Sequence, residues 1–213
     1  MSEVKAARYS ALFLAALLAG LTYWPASDLP FDPVLLVVWK GAGVGLLALW
    51  AGLRARSRDG WLLTAVMSFG ALGDVLLEAV SLQLGALAFL AGHIVAILLY
   101  MQNRRAGVHW LWLMLVPVVV LAGALLPDDR TAAPGIAVYS LGLGAMAATA
   151  LMSRFRRAAI GAWMFVASDL LIFARLGPLA DSFIPDLLIW PLYFAGQAMI
   201  AWDVDRNLHA GEA

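Results

Sequence analysis

Long apolar runs separated by short polar punctuation set the pattern of this chain. Eight runs can be drawn, at roughly Ser10 to Ala26, Pro33 to Leu53, Gly60 to Ala79, Gln83 to Met101, Val108 to Leu126, Ala133 to Met152, Ala158 to Arg175 and Ile184 to Val204. Each is near the ~20 residues that a helix needs to cross a hydrocarbon core. The connections PASDLPFDP, RARSRDG, QNRRAG, PDDRTAAPG, SRFRR and LGPLADSFIPD are short, and most are marked as turns by Pro or Gly. The pattern predicts an all-α fold, a polytopic membrane protein built as a bundle of eight transmembrane helices. The first run is short and follows a basic tip, as a cleaved signal peptide would, but it is expected to stay as a helix.

Composition agrees with that class: 63% of the residues are hydrophobic and 13% charged. So little lies outside the apolar runs that residues 1–213 are expected to form a single transmembrane helical domain. No cysteine is present, which excludes disulfides, thiol catalysis and iron–sulfur ligation.

The net charge is zero, yet its distribution is uneven. Arg54, Arg56, Arg58, Arg104, Arg105, Arg154, Arg156 and Arg157 fall on one side with Lys5 and Arg8. Asp28, Asp32, Glu78, Asp128, Asp129, Asp181 and Asp186 fall on the other. By the positive-inside rule the basic side is cytoplasmic, which puts both termini inside. The expected location is a bacterial inner (plasma) membrane, with membrane lipids as neighbours and no nucleic-acid partner. Trp24 and Trp190 near outer ends, and Trp50, Trp61, Trp110, Trp112 and Trp202 near inner ends, read as interfacial belts. Gly41, Gly43, Gly45, Gly142 and Gly144 are small-residue faces, for which close helix packing is a sufficient reason. FLAGH at Phe89 to His93 is similar to YFAGQ at Tyr193 to Gln197, four runs later, so a parallel four-plus-four repeat is one reading of the chain.

Candidate chemistry comes from polar groups sunk in the apolar runs. Asp74 and Asp169 are costly at such depth, and a charge there points to a site. At about 1.5 Å of rise per residue, Asp74 is about 20 Å, and Asp169 about 17 Å, from the inner end of its run. From the outer ends, Lys40 is about 10 Å down, Tyr193 about 14 Å, His93 about 15 Å and Gln197 about 20 Å. These groups are expected to converge on one interior cavity. Plainer roles compete for each. Lys40 can serve as a structural counter-ion or snorkel outward, His93 can be a hydrogen-bonded core residue, and Tyr193 and Gln197, one turn apart, can bond between helices. Ser68 and Ser168 can bond to backbone carbonyls, Glu78 can sit solvated at headgroup level, and Arg175 can anchor its helix end or pair with a phosphate. For the two aspartates the plain reading is a structural ion pair.

Two carboxylates sharing a low-dielectric cavity would hold one proton between them, one acting as acid and the other as base. That division suits acid-assisted cleavage of a carbon–oxygen bond through an oxocarbenium-like state. A metal is the competing use of Asp74, Asp169 and His93. A three-histidine zinc centre cannot assemble there, because His109 and His209 lie near cytoplasmic ends, and neither a metal nor a cofactor is expected.

SFGALGDVLLE (Ser68 to Glu78), FLAGHIVAILLY (Phe89 to Tyr100), AIGAWMFVASDLLIFAR (Ala159 to Arg175) and YFAGQAMIA (Tyr193 to Ala201) together resemble the YhhN family of membrane proteins, which includes the transmembrane lysoplasmalogenases. Lys40 is similar to a lysine the family tends to carry in its second span, whereas Gly41 stands where proline would be expected. The resemblance implies hydrolysis of the vinyl ether of a lysoplasmalogen, a lysophospholipid substrate, to a fatty aldehyde and glycerophosphoethanolamine or glycerophosphocholine. Asp74 and Asp169 would then be the acid and the base, in an order left open. His93, Tyr193 and Gln197, with Ser168, would orient water or the glycerol oxygens, and Lys40 or Arg175 would meet the phosphate. A small proton-coupled transporter and a non-catalytic lipid-binding protein are the competing readings.

Overall fold

The structure, a computed structural model, describes residues 3–210. Among the described residues eight α-helices follow in order: α1 (Glu3–Ala26), α2 (Pro33–Arg54), α3 (Arg58–Ala79), α4 (Leu82–Gln102), α5 (Leu115–Leu125), α6 (Ala133–Met152), α7 (Arg156–Arg175) and α8 (Ile184–His209). Short 3-10 turns at Trp110–Met114 and Arg130–Ala132 precede α5 and α6. Lys5, read above as an inner-side cation, has its side chain outside the described residues.

Several helix starts follow from local sequence. Asp32 caps α2, its carboxylate accepting the N–H groups of Val34 at 2.8 Å and Leu35 at 3.3 Å, and Pro33 occupies the first position, where no N–H is needed. Ser57 caps α3 by accepting from Gly60 N–H at 3.2 Å. At the turn before α6 the hydroxyl and the N–H of Thr131 donate to Asp129, which holds that exposed carboxyl below its ordinary range. α7 opens at Phe155 with no side-chain cap of its own. Asp203 of α8 supplies one, accepting the N–H groups of Arg157 and Ala158 at 2.9 Å each.

Seven of the helices are long and apolar enough to cross a membrane. Burial is arranged as lipid requires: Leu14, Leu18 and Leu21 of α1 and Val34 and Val38 of α2 are exposed, while small residues such as Ala16, Ala147, Ala150, Ala158 and Ala162 are buried. Apolar tails solvate large side chains as well as a core does, so close backbone approach is what drives association. The chain is therefore an integral membrane protein.

The fifth run departs from the expectation of one helix over Val108 to Leu126. It forms the 3-10 turn and then α5, only 11 residues long. Pro117, in the first turn of α5, has no N–H to extend a helix backward and its ring disfavours helical geometry before it. The exposed Trp110, Leu111, Trp112 and Met114 lie in the turn. Pro191 behaves differently: α8 runs through it without a break.

The helices fall into two compact units. Among the described residues the first is 3–92 with 208–210; the second is His93–Asn207. In the first, Trp39 of α2 donates its indole N–H to the Ala19 carbonyl and the Thr22 hydroxyl of α1. A methyl group at Gly73 would come within 2.7 Å of the Phe89 ring, so the missing side chain beside Asp74 is what admits that ring.

In the second unit the connection after α4 and the connection after α6 are tied together by backbone and side chain. Arg105 donates its N–H to Met152 and its guanidinium to the Leu151 carbonyl, and the Arg154 guanidinium donates to the Asn103 side chain at 2.8 Å. Phe155, Leu143, Met146, Met152 and Tyr100 are among its largest fully buried side chains.

Candidate active site

The second unit gathers most of the candidate residues around one carboxylate. Asp169, on α7, is 6% exposed. Its Oδ2 accepts the hydroxyl of Tyr139, on α6, at 2.5 Å. The Tyr139 ring stands 5.4 Å from the imidazole of His93 and 6.1 Å, edge-on, from Phe173. Phe173 is one turn beyond Asp169 on α7, so the tyrosine lies along the face that both residues share. His93 also packs edge-on against Phe165 at 5.2 Å, and Phe165 against Tyr193 at 5.1 Å. Tyr193 meets Trp190 at 5.5 Å, and Gln197 directs its amide N–H toward the Tyr193 hydroxyl at 3.5 Å.

A continuous set of contacts thus runs from Asp169 through Tyr139, His93, Phe165 and Tyr193 to Gln197. Within it lie polar atoms whose bonding capacity is unused. His93 is 4% exposed and neither of its ring nitrogens has a hydrogen-bond partner among the described residues. The side-chain oxygen of the buried Gln197 is in the same position. Such groups cost stability when left unbonded, and a bound water or a ligand is one way a native structure satisfies them.

Two further candidates of this unit are held differently. Ser168 donates its hydroxyl to the Ile189 carbonyl of α8 at 2.9 Å, two residues before Pro191, which is the backbone-bonded arrangement considered above for the serines. Arg175, at the end of α7, donates to Asp186 at 3.3 Å, with the two side chains 48% and 72% exposed.

Asp74 and Lys40 belong to the first unit. Asp74 is 2% exposed on α3. Lys40, on α2, donates to Glu78, one turn beyond Asp74, and lies 5.9 Å from the centre of the Tyr23 ring of α1. Glu78 is therefore the partner of a cation rather than a free headgroup-level carboxylate. Ser68, on the same helix, donates to the Thr64 carbonyl.

Tyr139 is the functional candidate that the sequence reading missed. It stands six residues into α6, about 9 Å down at helical rise. A phenol at that depth needs a hydrogen-bond partner, and that need was the available signal. Among the described residues no group of three or more His, Asp or Glu side chains is arranged to hold a metal ion.

Helices of membrane-spanning length, with small residues at their crossings and acids buried inside them, define a polytopic helical membrane protein with buried polar residues. Residues 35–204 match the YhhN family, and the chain belongs to it. No curated protein and no solved structure matches the chain.

Proposed function

We propose that the protein is a membrane-embedded hydrolase that cleaves the vinyl ether of lysoplasmalogen, or of a closely related ether lysophospholipid. Membership of the YhhN family is consistent with lysoplasmalogenase-like activity. The observation that carries the reading is Asp169: a carboxylate buried in an apolar bundle, bonded by a phenol and surrounded by aromatic rings and an unpartnered imidazole.

The chemistry asks for little more. A carboxylic acid protonates the β-carbon of the vinyl ether, leaving an oxocarbenium ion stabilised by a nearby negative charge. Water adds to the cation and gives its extra proton to a carboxylate. The resulting hemiacetal collapses to a fatty aldehyde and the glycerol hydroxyl of glycerophosphoethanolamine or glycerophosphocholine. One water is consumed and the acid is regenerated. Asp169 and Asp74 are assigned to the acid–base work. His93, Tyr193 and Gln197 orient the water or glycerol oxygens, and a cationic side chain, Lys40 or Arg175, meets the phosphate. The single acyl-length chain lies among the apolar helices. Eight spans with both termini on the cytoplasmic side of a bacterial inner membrane complete the reading, supported by the Arg clusters at 54–58, 104–105 and 154–157.

The test is incubation of purified protein with lysoplasmenylethanolamine and lysoplasmenylcholine, with aldehyde and glycerophosphodiester measured by mass spectrometry. Wild type releases both products in equal amounts. Asp74→Asn and Asp169→Asn each abolish release while keeping the unfolding midpoint. No aldehyde from either lipid, or lipid uptake into proteoliposomes without product, overturns the proposal.

A further inference from the structure

We infer that Tyr139 is a positioning residue for Asp169, fixing which carboxylate oxygen is presented to the lipid; this rests on the reaction proposed above. Among the described residues, Tyr139 is the only side chain that donates to Asp169, and its hydroxyl engages Oδ2. The phenol reaches the carboxylate from another helix, 30 residues away in sequence, so it constrains Asp169 in a way that α7 alone cannot.

The tyrosine is itself held. Its ring packs against both His93 and Phe173. His93 offers it ring contact, and neither imidazole nitrogen bonds to the phenol or to any other described residue. The hydroxyl is therefore committed to Asp169, and the imidazole nitrogens are left for substrate or water. A carboxylate on a two-torsion side chain can otherwise swing and rotate. Tethering one oxygen fixes the plane of the group and directs Oδ1 as the oxygen that exchanges a proton. Reaction geometry is sensitive to such control, since a displacement of about 1 Å can cost on the order of 100-fold in rate.

Tyr139→Phe keeps the ring and removes only the hydroxyl; Tyr139→Leu removes both. For Tyr139→Phe the expected results are a kcat for aldehyde release lower by on the order of 10- to 100-fold, a KM within about twofold, and an unfolding midpoint lowered only by the loss of one buried hydrogen bond. In the Asp169→Asn background the same change has no further effect on lysolipid binding. A second measurement does not depend on turnover. In protein labelled with ¹³C-aspartate, the infrared carboxyl band that disappears in Asp169→Asn shifts in Tyr139→Phe. A purely packing role predicts the reverse pattern, with Tyr139→Phe silent and only Tyr139→Leu harmful. An unshifted band, or a shifted band with unchanged kcat, overturns the inference. Should wild type release no aldehyde, the proposed reaction falls, and the infrared band alone decides whether Tyr139 controls Asp169.

Discussion

Gly161 of α7 and Gly196 of α8 meet backbone to backbone. A methyl group on Gly161 would stand 2.5 Å from the Gly196 carbonyl oxygen, and one on Gly196 would stand 2.6 Å from the Gly161 carbonyl oxygen. Neither oxygen can swing aside as a flexible side chain would, so the crossing tolerates no side chain on either helix. Asp169 lies two turns beyond Gly161, and Tyr193 and Gln197 flank Gly196, so the contact sets the spacing of the site's two main helices. Gly161→Ala and Gly196→Ala should each destabilise the protein by about 1–3 kcal/mol, the usual cost of overpacking a filled interior. Aldehyde release should fall more than the loss of folded protein explains. Gly135→Ala, where a methyl meets open space, is the control and should be neutral. Thermal unfolding in detergent and specific activity measure both effects; tolerance of alanine at 161 and 196 would refute the close crossing.

The cap that Asp203 lends to α7 separates stability from chemistry. Its carboxylate serves two N–H groups of a helix that has no cap of its own, and it also accepts the Asn207 amide at 3.1 Å. Asp203→Ala leaves the buried Ala158 N–H and the part-buried Arg157 N–H unbonded and should cost about 1–2 kcal/mol. Asp203→Asn, which keeps one acceptor oxygen, should cost less. Asp169 is about 18 Å further along the helix from Arg157. The kcat of the folded fraction should therefore stay within about twofold of wild type, as a comparison of unfolding midpoint with activity per folded molecule will report.

The apolar pattern was enough to locate most of the helices, because in a bilayer every backbone polar group must be bonded within its own segment and only a helix does that. It also marked Asp74, Asp169, His93, Tyr193 and Gln197, since a polar side chain at such depth is conspicuous. What it could not give is pairing across helices. Tyr139 looks like one more aromatic residue in an apolar run until α6 is set beside α7. Asp203 falls next to the last residue of the eighth apolar run, and nothing in the sequence says that, at 6% exposed, it caps another helix. Lys40 was visible as a buried cation, but its engagement with Glu78 depends on how α2 meets α3. The fifth run failed for a local reason: hydropathy cannot distinguish a 3-10 turn from an α-helix, and Pro117 decides between them.

His93 distinguishes packing from function through opposite signs. Burying an imidazole with both nitrogens unbonded costs about 1–3 kcal/mol relative to a bonded one. His93→Phe keeps aromatic contact with Tyr139 and Phe165 and removes that cost. The unfolding midpoint should hold or rise while aldehyde release falls by at least about tenfold. Equal stability and full activity would make His93 a core residue and remove it from the site.

On the proposed reaction Lys40 and Arg175 are the two candidates to meet the phosphate, and their surroundings favour Arg175. Its partner, Asp186, is 72% exposed and the contact is long at 3.3 Å, so the exposed pair contributes no more than about 1 kcal/mol and yields readily to another anion. Arginine also presents a planar fork that matches phosphate oxygens in pairs. Lys40 is more enclosed, with a side chain 13% exposed, and would have to leave the Glu78 carboxylate to reach a substrate. Arg175→Gln should raise KM for the lysolipid by about tenfold, the loss of one charge-assisted bond, with kcat and the unfolding midpoint unchanged. Lys40→Met should lower the unfolding midpoint and leave KM within about twofold, because it breaks an internal ion pair without removing a substrate contact. Steady-state kinetics on the two variants decide the assignment, and a KM effect confined to Lys40→Met would transfer the phosphate to the first unit.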